Sequence, residues 1–550
     1  MKYRSAPLLK LLLTDRGQAR GIILMAAFAG TANAALLSIV NTATSAQNKE
    51  GLLRMMVLFL IAFVLFAYCS VETFQRATML VEKGIERVRL RITDKIARID
   101  LHGLQKVDPA VLHGRLTQDT QAISDSGGVT AAALQSAVLI TFTTIYMAFL
   151  SLPTFILGAI MIGGGLMVYV VRARTVNERI ESAARREADY FDRINDLVHG
   201  FKELKLSDQR RDALAADIHA TVGEVRRLKI ETSDLYNRNY IFAYSLFYLL
   251  IGVVVFILPR FVQSQGKQLT ELTATILFII GPLSTVVAAI PAWSRSNLAA
   301  QRLLTLDEQL EGMYEVSPKL KSTKGRMLAP FETIELRNVV FQFSGGNGNG
   351  SSFTVGPINF TIHAGETLFI VGGNGSGKST LLKLLTALYV PKSGQLLVDG
   401  MPVDARNRQA YRNLFSAIFS DFYLFRKMYG IDAVDAPLVA DLLQMMRIEN
   451  KTTFDGTGFS TLDLSTGQRK RLAMIVALIE DRPICVFDEW AADQDPEFRG
   501  YFYHSLLPSL KEKGKTVIVV SHDDRYFNVG DRVLHMEYGR VDRVLAGSEV

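Results

Sequence analysis

The chain has 550 residues, which is more than one hydrophobic core usually organises, so two or more domains are expected. Its net charge is +7, but the basic residues flank long apolar runs and do not line one face. This distribution argues against nucleic acid as a partner. Its two cysteines, Cys69 and Cys485, lie far apart in apolar surroundings and exclude a disulfide framework or a cysteine metal cluster.

Apolar runs long enough to cross a bilayer, about 20 largely uncharged residues, occur only in the first 300 residues. We predict an all-α membrane domain over residues 1–310 with six spans near Gly21–Val40, Leu52–Phe74, Gly127–Leu150, Leu152–Val171, Tyr240–Phe261 and Leu269–Trp293. A cleaved secretory signal is the alternative for the first run, because basic residues precede it and small residues end it. Its full span length favours an uncleaved helix.

Positive charge alternates between the loops of this domain. The N-terminus and two long loops, 75–126 and 172–239, are rich in Lys and Arg, whereas the other loops are short and nearly neutral. Basic loops stay in the cytoplasm, so both termini are predicted to be cytoplasmic. The long loops should continue the membrane helices and turn over near Leu101–Gly114 and Leu197–Ser207. Solvated helices are one interpretation of these turns, and contact with the C-terminal half is the other.

After a polar linker at 311–330, residues 331–550 are predicted to form an α/β domain. Within it, GGNGSGKS at Gly372–Ser379 fits the pattern G-x-x-x-x-G-K-[ST], with a strand-like run before it and helical spacing after it. Such a loop surrounds nucleotide phosphates with backbone N–H groups and the start of a helix. The predicted nucleotide-binding residues are Gly372, Asn374, Gly375, Ser376, Gly377, Lys378, Ser379 and Thr380. Lys378 should reach the β- and γ-phosphates of ATP, and Ser379 should hold Mg²⁺.

Two further apolar strands end in polar residues. Ile484–Phe487 is followed by Asp488 and Glu489, and carboxyl ends of parallel strands lie beside such a loop. We expect Asp488 to bind Mg²⁺ directly or through water, and Glu489 to act as the general base for an attacking water. His522, after the strand-like run that starts at Thr516, should contact the γ-phosphate, although a lone histidine at a strand end is more often structural. These residues predict an ATP hydrolase.

The run LSTGQRKRLAMIVAL, Leu464–Leu478, resembles the ATP-binding cassette superfamily, whose signature is LSGGQ. This resemblance implies that Ser465, Thr466, Gly467 and Gln468 complete the ATP site of a second subunit, with Thr466 replacing a glycine. One cassette and six spans resemble an exporter of type 1 built as a half-transporter, which forms a homodimer in the bilayer.

The resemblance also implies roles for three other residues. Asp495 matches the aspartate of the family's D-loop. Phe343 matches an aromatic residue that stacks on adenine, with an ordinary core Phe as the alternative. Ser420 stands where the family has a glutamine. A serine is too short to reach Mg²⁺ in the same way, so metal coordination there is doubtful, and water or Asp421 is the expected substitute.

The block Phe487–Phe527 carries Trp490 where most of the superfamily has proline. Its segments WAADQDPEFR and SHDDRYF resemble the cyclic-peptide and siderophore exporter group, which includes exporters of syringomycin-type lipopeptides and pyoverdine precursors. That resemblance implies export of a nonribosomal peptide or siderophore from the cytoplasm to the periplasm across the bacterial inner membrane. It leaves open a periplasmic or outer-membrane export partner. The alternative is a lipid or lipopeptide flippase of the same architecture, for which the spans contain few basic residues.

Hydroxyl side chains are frequent in the predicted spans. They could line a cavity for a polar peptide, but they more often bond their own helix backbone. Gln135 and Glu271 are stronger candidates for cargo contact, because polar groups are costly inside a span. The sequence assigns no cargo residue.

Overall fold

The computed structural model describes residues 7–12, 16–43, 49–257, 266–313, 330–343, 353–431 and 434–549. The chain divides into two compact units, one made of Met1–Asp94 and Asp108–Glu311, the other of Lys95–Val107 and Gly312–Val550. Most of the predicted linker and the glycine-rich segment 344–352 lie outside the described residues, so the linker boundaries stay predictions.

The first unit is helical. In chain order the first ten helices are α1 (Pro7–Leu12), α2 (Arg16–Ala43), α3 (Lys49–Arg98), α4 (Leu101–Leu104, in the second unit), α5 (Pro109–Gly114), α6 (Thr120–Leu150), α7 (Leu152–His199), α8 (Phe201–Lys205), α9 (Asp208–Gly252) and α10 (Gly266–Glu311). Within the described ranges, four helical stretches have the length and hydropathy of membrane spans, namely Gly17–Ala43, Glu50–Arg98, Pro109–Leu150 and Leu269–Glu311. The other two predicted spans fall on α7 and on α9 with its π-helical end Val253–Ile257, and residues 258–261 of the latter span lie outside the described residues.

The apolar surface of these helices fits a lipid solvent. Along α3 the large side chains of Leu53, Ile61, Val64 and Tyr68 are exposed, which would be unfavourable in water. Helices α2 and α6 approach each other closely at Gly30, because a Cβ there would lie 2.7 Å from Cγ1 of Val138. Small residues permit such packing where no hydrophobic force draws helices together.

The predicted cytoplasmic extensions are helical. Helices α7 and α9 run side by side and are joined by ion pairs, including Arg179–Glu231 at 2.7 Å and Lys229–Glu187 at 2.6 Å. The turns fall where the sequence predicts them. α4 begins after Asp100, whose carboxylate accepts the N–H of Gly103 at 2.7 Å, and α8 lies between α7 and α9.

The second unit is an α/β domain with two sheets. Its strands are β1 (Thr333–Gln342), β2 (Thr354–His363), β3 (Thr367–Val371), β4 (Ser393–Val398), β5 (Met401–Pro402), β6 (Phe415–Ile418), β7 (Ile484–Asp488), β8 (Thr516–Val520), β9 (Arg532–Glu537) and β10 (Arg540–Ala546). Its helices after α4 are α11 (Lys378–Leu385), α12 (Arg408–Arg412), α13 (Ala436–Met445), α14 (Thr466–Glu480), α15 (Pro496–Tyr501) and α16 (Leu507–Glu512). The smaller sheet has the order β2-β1-β4-β5, and the larger has β10-β9-β3-β8-β7-β6.

The central strands of the larger sheet are buried on both faces. Leu368 and Ile370 of β3 pack toward α11 and the smaller sheet, whereas Phe369 and Val371 pack toward α14 and α16. A strand covered on both faces buries the side chains of both alternating sets. Every residue of β3, β7 and β8 is accordingly buried, and all are apolar except Thr367, Thr516 and Asp488 at the strand ends.

The register of this sheet positions the polar strand ends. Asp488 of β7 pairs with Val520 of β8, and Val520 pairs with Ile370 of β3. Because the strands are parallel, their carboxyl ends lie at one edge. Gly372 after β3, Asp488 at the end of β7 and His522 after β8 therefore lie at the same edge of three neighbouring strands.

Candidate nucleotide site

The phosphate loop is a sharp turn that only glycines can form. Gly372, Gly375 and Gly377 have φ values of 149°, 78° and 101°, respectively. A Cβ on Gly372 would lie 2.2 Å from the carbonyl oxygen of Met536. Helix α11 starts directly afterwards at Lys378, so its first N–H groups are available to an anion.

Lys378 lies across this loop. Its Nζ donates to the carbonyl oxygens of Gly372 at 2.8 Å and Gly373 at 3.0 Å, and the residue is 6% exposed. Burial lowers the pKa of the Lys378 amine, and the nearby carboxylates of Glu489 and Asp488 oppose that shift. The loop thus holds a buried cation where the sequence predicts the phosphates.

The rest of the loop is polar. Asn374 and Gly375 are exposed, and the Oγ of Ser376 is buried without a hydrogen-bond partner in the described part of the chain. Ser379 and Thr380 belong to the first turn of α11, and the Ser379 side chain lies near Asp488, where it counteracts the rise that burial causes in the pKa of that carboxyl. These groups can accept or donate to a phosphate.

Asp488 has the surroundings of a metal ligand. It is 2% exposed; its Oδ2 accepts from the hydroxyl of Ser420 at 3.2 Å, and its Oδ1 is buried without a partner among the described residues. Burial raises the pKa of the Asp488 carboxyl. A buried, unpaired carboxylate oxygen beside the hydroxyl of Ser379 suits a small hard cation such as Mg²⁺.

Ser420 differs from the expected metal ligand. Its backbone N–H and its hydroxyl both donate toward Oδ2 of Asp488, at 3.4 and 3.2 Å. The neighbouring Asp421 is exposed, and its carboxylate lies 3.9 Å from Nζ of Lys383. Ser420 therefore orients Asp488, because both of its donors are hydrogen-bonded to the Asp488 carboxylate.

Asp488→Asn should stabilise the protein when no Mg²⁺ is present. Because its pKa is raised, the folded protein holds this proton to higher pH than the unfolded chain. Stability therefore falls as pH rises from the ordinary carboxyl pKa to the raised one, and the loss persists at every pH above the raised value. We expect the variant to melt about 2–4 °C higher in EDTA at pH 7.5. Thermal unfolding of the full chain in detergent measures this.

The exposed Asp421→Asn is the matched control and should leave the melting temperature unchanged. An unchanged or lower melting temperature for Asp488→Asn would show that ionised Asp488 is not destabilised by burial.

Glu489 and His522 form a pair at the same sheet edge. Nε2 of His522 lies 3.3 Å from Oε1 of Glu489, and both side chains are about half exposed, so water can reach them. The backbone of Glu489 is left-handed, with φ 51° and ψ 35°, and its N–H donates to Val520 at 3.1 Å. This conformation is uncommon for a residue with a side chain and points to a functional constraint.

Lys470 supports that conformation, and the sequence did not single it out. It is 4% exposed on α14, and its Nζ donates to the carbonyl oxygen of Glu489 at 2.6 Å and pairs with Asp493 at 2.7 Å. Trp490 completes the connection, because its indole N–H donates to the carbonyl of Lys470 at 2.8 Å. The sequence around Lys470 gave little signal, because this lysine stands between Arg469 and Arg471 at the basic start of α14.

We expect Lys470→Met to slow ATP turnover about tenfold, with the KM for ATP changed less than about twofold. Methionine keeps the length but leaves the Glu489 carbonyl without its charged donor, a loss of about 1.5 kcal/mol. Lys470→Arg, which keeps a donor, should recover part of the rate. Steady-state ATPase kinetics of the full chain test this.

Lys511→Met, at an exposed lysine paired with Asp531, is the control for that measurement. Two results would contradict a positioning role for Lys470. One is a KM for ATP that rises in Lys470→Met by the same factor as kcat falls, and the other is a rate in Lys470→Arg as low as in Lys470→Met.

The signature residues form the start of α14. Ser465 caps the helix by accepting the N–H of Gln468 at 3.4 Å, while the Gln468 side chain accepts the N–H of Ser465 at 3.1 Å. Thr466 is the first helical residue and is exposed. A Cβ on Gly467 would lie 2.7 Å from the carbonyl oxygen of Asp493, so glycine is required there.

Asp495 is joined to the same helix. Arg471 pairs with Asp495 at 2.6 Å and donates to Gln494 at 2.8 Å, and Gln494 donates to the carbonyl of Gly467 at 3.1 Å. Asp495 also caps α15 by accepting the N–H of Phe498, and this bond is the main cause of its lowered pKa. The signature and the predicted D-loop are thus one hydrogen-bonded network within a chain.

Phe343 follows β1 in an aromatic cluster. Its ring meets Phe341 edge-on at 5.1 Å, and Tyr389 and His102 at 6.1 Å. The Tyr389 hydroxyl donates to Gln105 at 2.8 Å, so the turn between α3 and α5 packs on this cluster. Adenine stacking by Phe343 stays a prediction.

The structure therefore brings Lys378, Ser379, Asp488, Glu489 and His522 together at one sheet edge. In the described part of the chain, no hydrogen bond or ion pair joins residues 465–468 to the phosphate loop. The signature instead reaches Glu489 through Lys470 of the same helix.

Known proteins resemble this chain over nearly its whole length. The family model described as "ABC transporter" matches residues 355–492. ATP-binding protein SyrD of Pseudomonas syringae pv. syringae is 31% identical over 94% of this chain and 92% of its own length. The chain belongs to the ATP-binding cassette exporters of the syringomycin group. It is thus a membrane-embedded exporter that couples ATP hydrolysis to transport.

Two other similarities bear on the fold and the cargo. An ATP-dependent lipid A-core flippase of Alkalilimnicola ehrlichii is 26% identical over 87% of this chain and 82% of its own length. A solved bacterial Atm1-family ABC exporter with ATP bound has a TM-score of 0.75 at 17% identity, and the match covers 98% of this chain and 96% of that one. The predicted fold class, a helical membrane domain with a cassette domain, is confirmed.

Proposed function

We propose that two copies of this exporter form a homodimer in the bacterial inner membrane, with all termini in the cytoplasm. The dimer moves a nonribosomal peptide, lipopeptide or siderophore precursor to the periplasm by alternating access. The basic N-terminus and long loops support the orientation. ATP must stabilise the closed cassette dimer more than the open one for this cycle to run.

The observation that carries the ATPase part is the convergence of Lys378, Asp488, Glu489 and His522 at one sheet edge. Lys378 and the loop N–H groups hold the β- and γ-phosphates, while Ser379 and Asp488 are placed to hold Mg²⁺. Bound Mg²⁺ would offset the negative charge of the phosphates. The signature residues Ser465–Gln468 of the second copy would cover the same nucleotide.

Glu489 is placed to take the proton of the attacking water. The water oxygen forms a bond to the γ-phosphorus, the bond to the β-γ bridging oxygen breaks, and ADP leaves with that electron pair. His522, beside Glu489, can donate to the transferred phosphate. A half-exposed base fits this step, because the nucleophile comes from solvent.

The cargo class rests on the similarity to SyrD along the whole chain, together with the segment from Phe487 to Phe527. Trp490 in that segment is 1% exposed, stacks on Phe502 at 4.6 Å and bonds Lys470, so it belongs to the catalytic framework. It therefore supports membership of the group more than any particular cargo.

A lipid flippase is the second candidate. The relatives named as lipid A-core flippases favour it, and so does a cavity of about 560 Å³ in the helical unit. Arg295, Lys229 and Arg302 line that cavity, with Asp119 and Glu187 as the opposing charges. Cationic side chains that line a cavity of this size could bind the anionic headgroup of a lipid.

ATPase activity in lipid nanodiscs separates the two candidates. A syringomycin-type lipopeptide should stimulate hydrolysis severalfold, whereas lipid A at the same concentration should not. Accumulation of the lipopeptide in inverted vesicles should depend on ATP. Stimulation by lipid A alone would overturn the peptide proposal in favour of the flippase.

A further inference from the structure

A second, smaller cavity lies among the membrane-spanning helices of the first unit. It measures about 260 Å³, and its walls come from α2, α3, α6 and α10. Its polar lining consists of Asn33, Gln135, Ser136 and Thr285, and no charged side chain of the described residues contributes to it. The cavity is far larger than the roughly 30 Å³ that one water occupies in the liquid.

Three of these four side chains have no partner in the described part of the chain. The Nε2 of Gln135 is buried and unpaired. The side chains of Asn33 and Ser136 make no hydrogen bond to any described residue. Unpaired polar groups are unfavourable inside a bilayer, so their collection on one cavity indicates a guest that forms hydrogen bonds.

Several other polar side chains in the spans are paired. The hydroxyls of Ser70 and Thr143 are also buried without a partner among the described residues, but neither lines this cavity. The hydroxyls of Thr141, Thr144, Thr273 and Thr285 donate to carbonyls of their own helices at 2.7–3.2 Å. Ser284 does the same toward Gly281. These five hydroxyls follow the ordinary pattern of membrane helices. What distinguishes Gln135, Asn33 and Ser136 is that their unpaired side chains lie together on one cavity.

Close helix packing holds Gln135 in place. A Cβ on Gly30 would lie 3.0 Å from the backbone carbonyl of Gln135 and 2.7 Å from the side chain of Val138. Gly30 therefore lets α2 pack against the turn of α6 that carries Gln135. Gly30 and Ala29 also line the cavity, and their small size leaves it open.

We propose that this cavity binds backbone amide groups of a peptide cargo, with Gln135 donating to a cargo carbonyl. Amides and hydroxyls offer both donors and acceptors without charge, which matches peptide groups. A phosphate or carboxylate would require a cation that the lining lacks. The proposal rests on the proposed export of a peptide and identifies the group of the cargo that is recognised.

The test is Gln135→Leu in the full-length dimer in nanodiscs, with a syringomycin-type lipopeptide as the probe. The half-maximal concentration for stimulating ATPase should rise about tenfold, as expected for losing one buried hydrogen bond. Maximal stimulation over the variant's own basal rate should stay close to that of the wild type. Asn33→Leu, on a different helix, should shift the concentration in the same direction.

Gln121→Leu is the matched control on α6, because the Gln121 amide already donates to Asp125 at 2.8 Å. A wild-type dimer that responds to lipid A and not to the lipopeptide would overturn the proposed function itself. A wild type that responds to the lipopeptide, with unchanged concentrations in both leucine variants, would overturn only this inference and leave a cavity that holds water.

Discussion

Glu489→Gln should reduce ATP hydrolysis at least about 100-fold while leaving ATP binding intact. Glutamine keeps the shape of the side chain and can still contact His522, which lies 3.3 Å away. It cannot take a proton from the attacking water, and loss of a general base typically lowers a rate by about 10²–10⁴. Because the phosphate contacts come from other residues, nucleotide should remain bound.

Phosphate release and binding of a fluorescent ATP analogue, measured on the same preparation, test both halves of this expectation. Glu497→Gln is the control, since Glu497 is exposed and pairs only with Arg447 among its described neighbours. Normal hydrolysis by Glu489→Gln would assign the base to another group. Loss of ATP binding would mean that Glu489 holds the nucleotide.

Lys378→Ala should weaken ATP binding about 100-fold or more. The Lys378 amine is the buried cation of the phosphate loop, and a hydrogen bond from a charged donor contributes about 1.5–3 kcal/mol. Its substitution removes contacts to two phosphates and leaves the carbonyls of Gly372 and Gly373 without their donor. Equilibrium binding of radiolabelled ATP is the measurement, and EDTA removes Mg²⁺ so that only the contribution of Lys378 to affinity is compared.

Lys383→Ala is the matched control on the same helix. The Nζ of Lys383 lies over the Tyr389 ring at 5.7 Å and near Asp421, away from the loop carbonyls. Its binding constant should match the wild type within about twofold. Equal weakening in both variants would show that α11 as a whole, and not the Lys378 cation, governs affinity.

The signature at the start of α14 and the predicted general base Glu489 are connected within one chain. Lys470 and Gly467 lie within four residues on α14, one bonded to the carbonyl of Glu489 and the other packed on Asp493. A nucleotide held at the N-terminus of α14 could therefore shift the backbone that carries the base. The Lys470 variants described above measure how strongly the two are connected.

The phosphate loop was predictable from sequence because its geometry is local. Gly372, Gly375 and Gly377 are needed for left-handed backbone, and the strand before them and the helix after them are adjacent in the chain. Asp488 was predictable for a related reason. A wholly apolar strand ending in a carboxylate is typical of a buried parallel strand, and the ends of such strands meet.

The helical spans and their charged extensions were also determined by composition, since length and hydropathy decide what crosses a bilayer. The sequence could not decide which polar residues in the spans find partners. Gln135 and Thr285 look alike as polar interruptions, yet Thr285 bonds its own helix and Gln135 remains unpaired at a cavity.

Only the tertiary structure decided which residues contact the predicted catalytic and metal-binding residues. Lys470 lies 19 residues before Glu489, and their contact depends on how α14 packs on the sheet. Ser420 likewise reaches Asp488 across 68 residues. Local geometry and hydropathy act between near neighbours in the chain, so sequence alone determined the loop, the strand ends and the spans. Hydrogen bonds between distant segments depend on packing, so the fold decided which side chains orient Asp488 and Glu489 and which polar side chains in the spans stay unpaired.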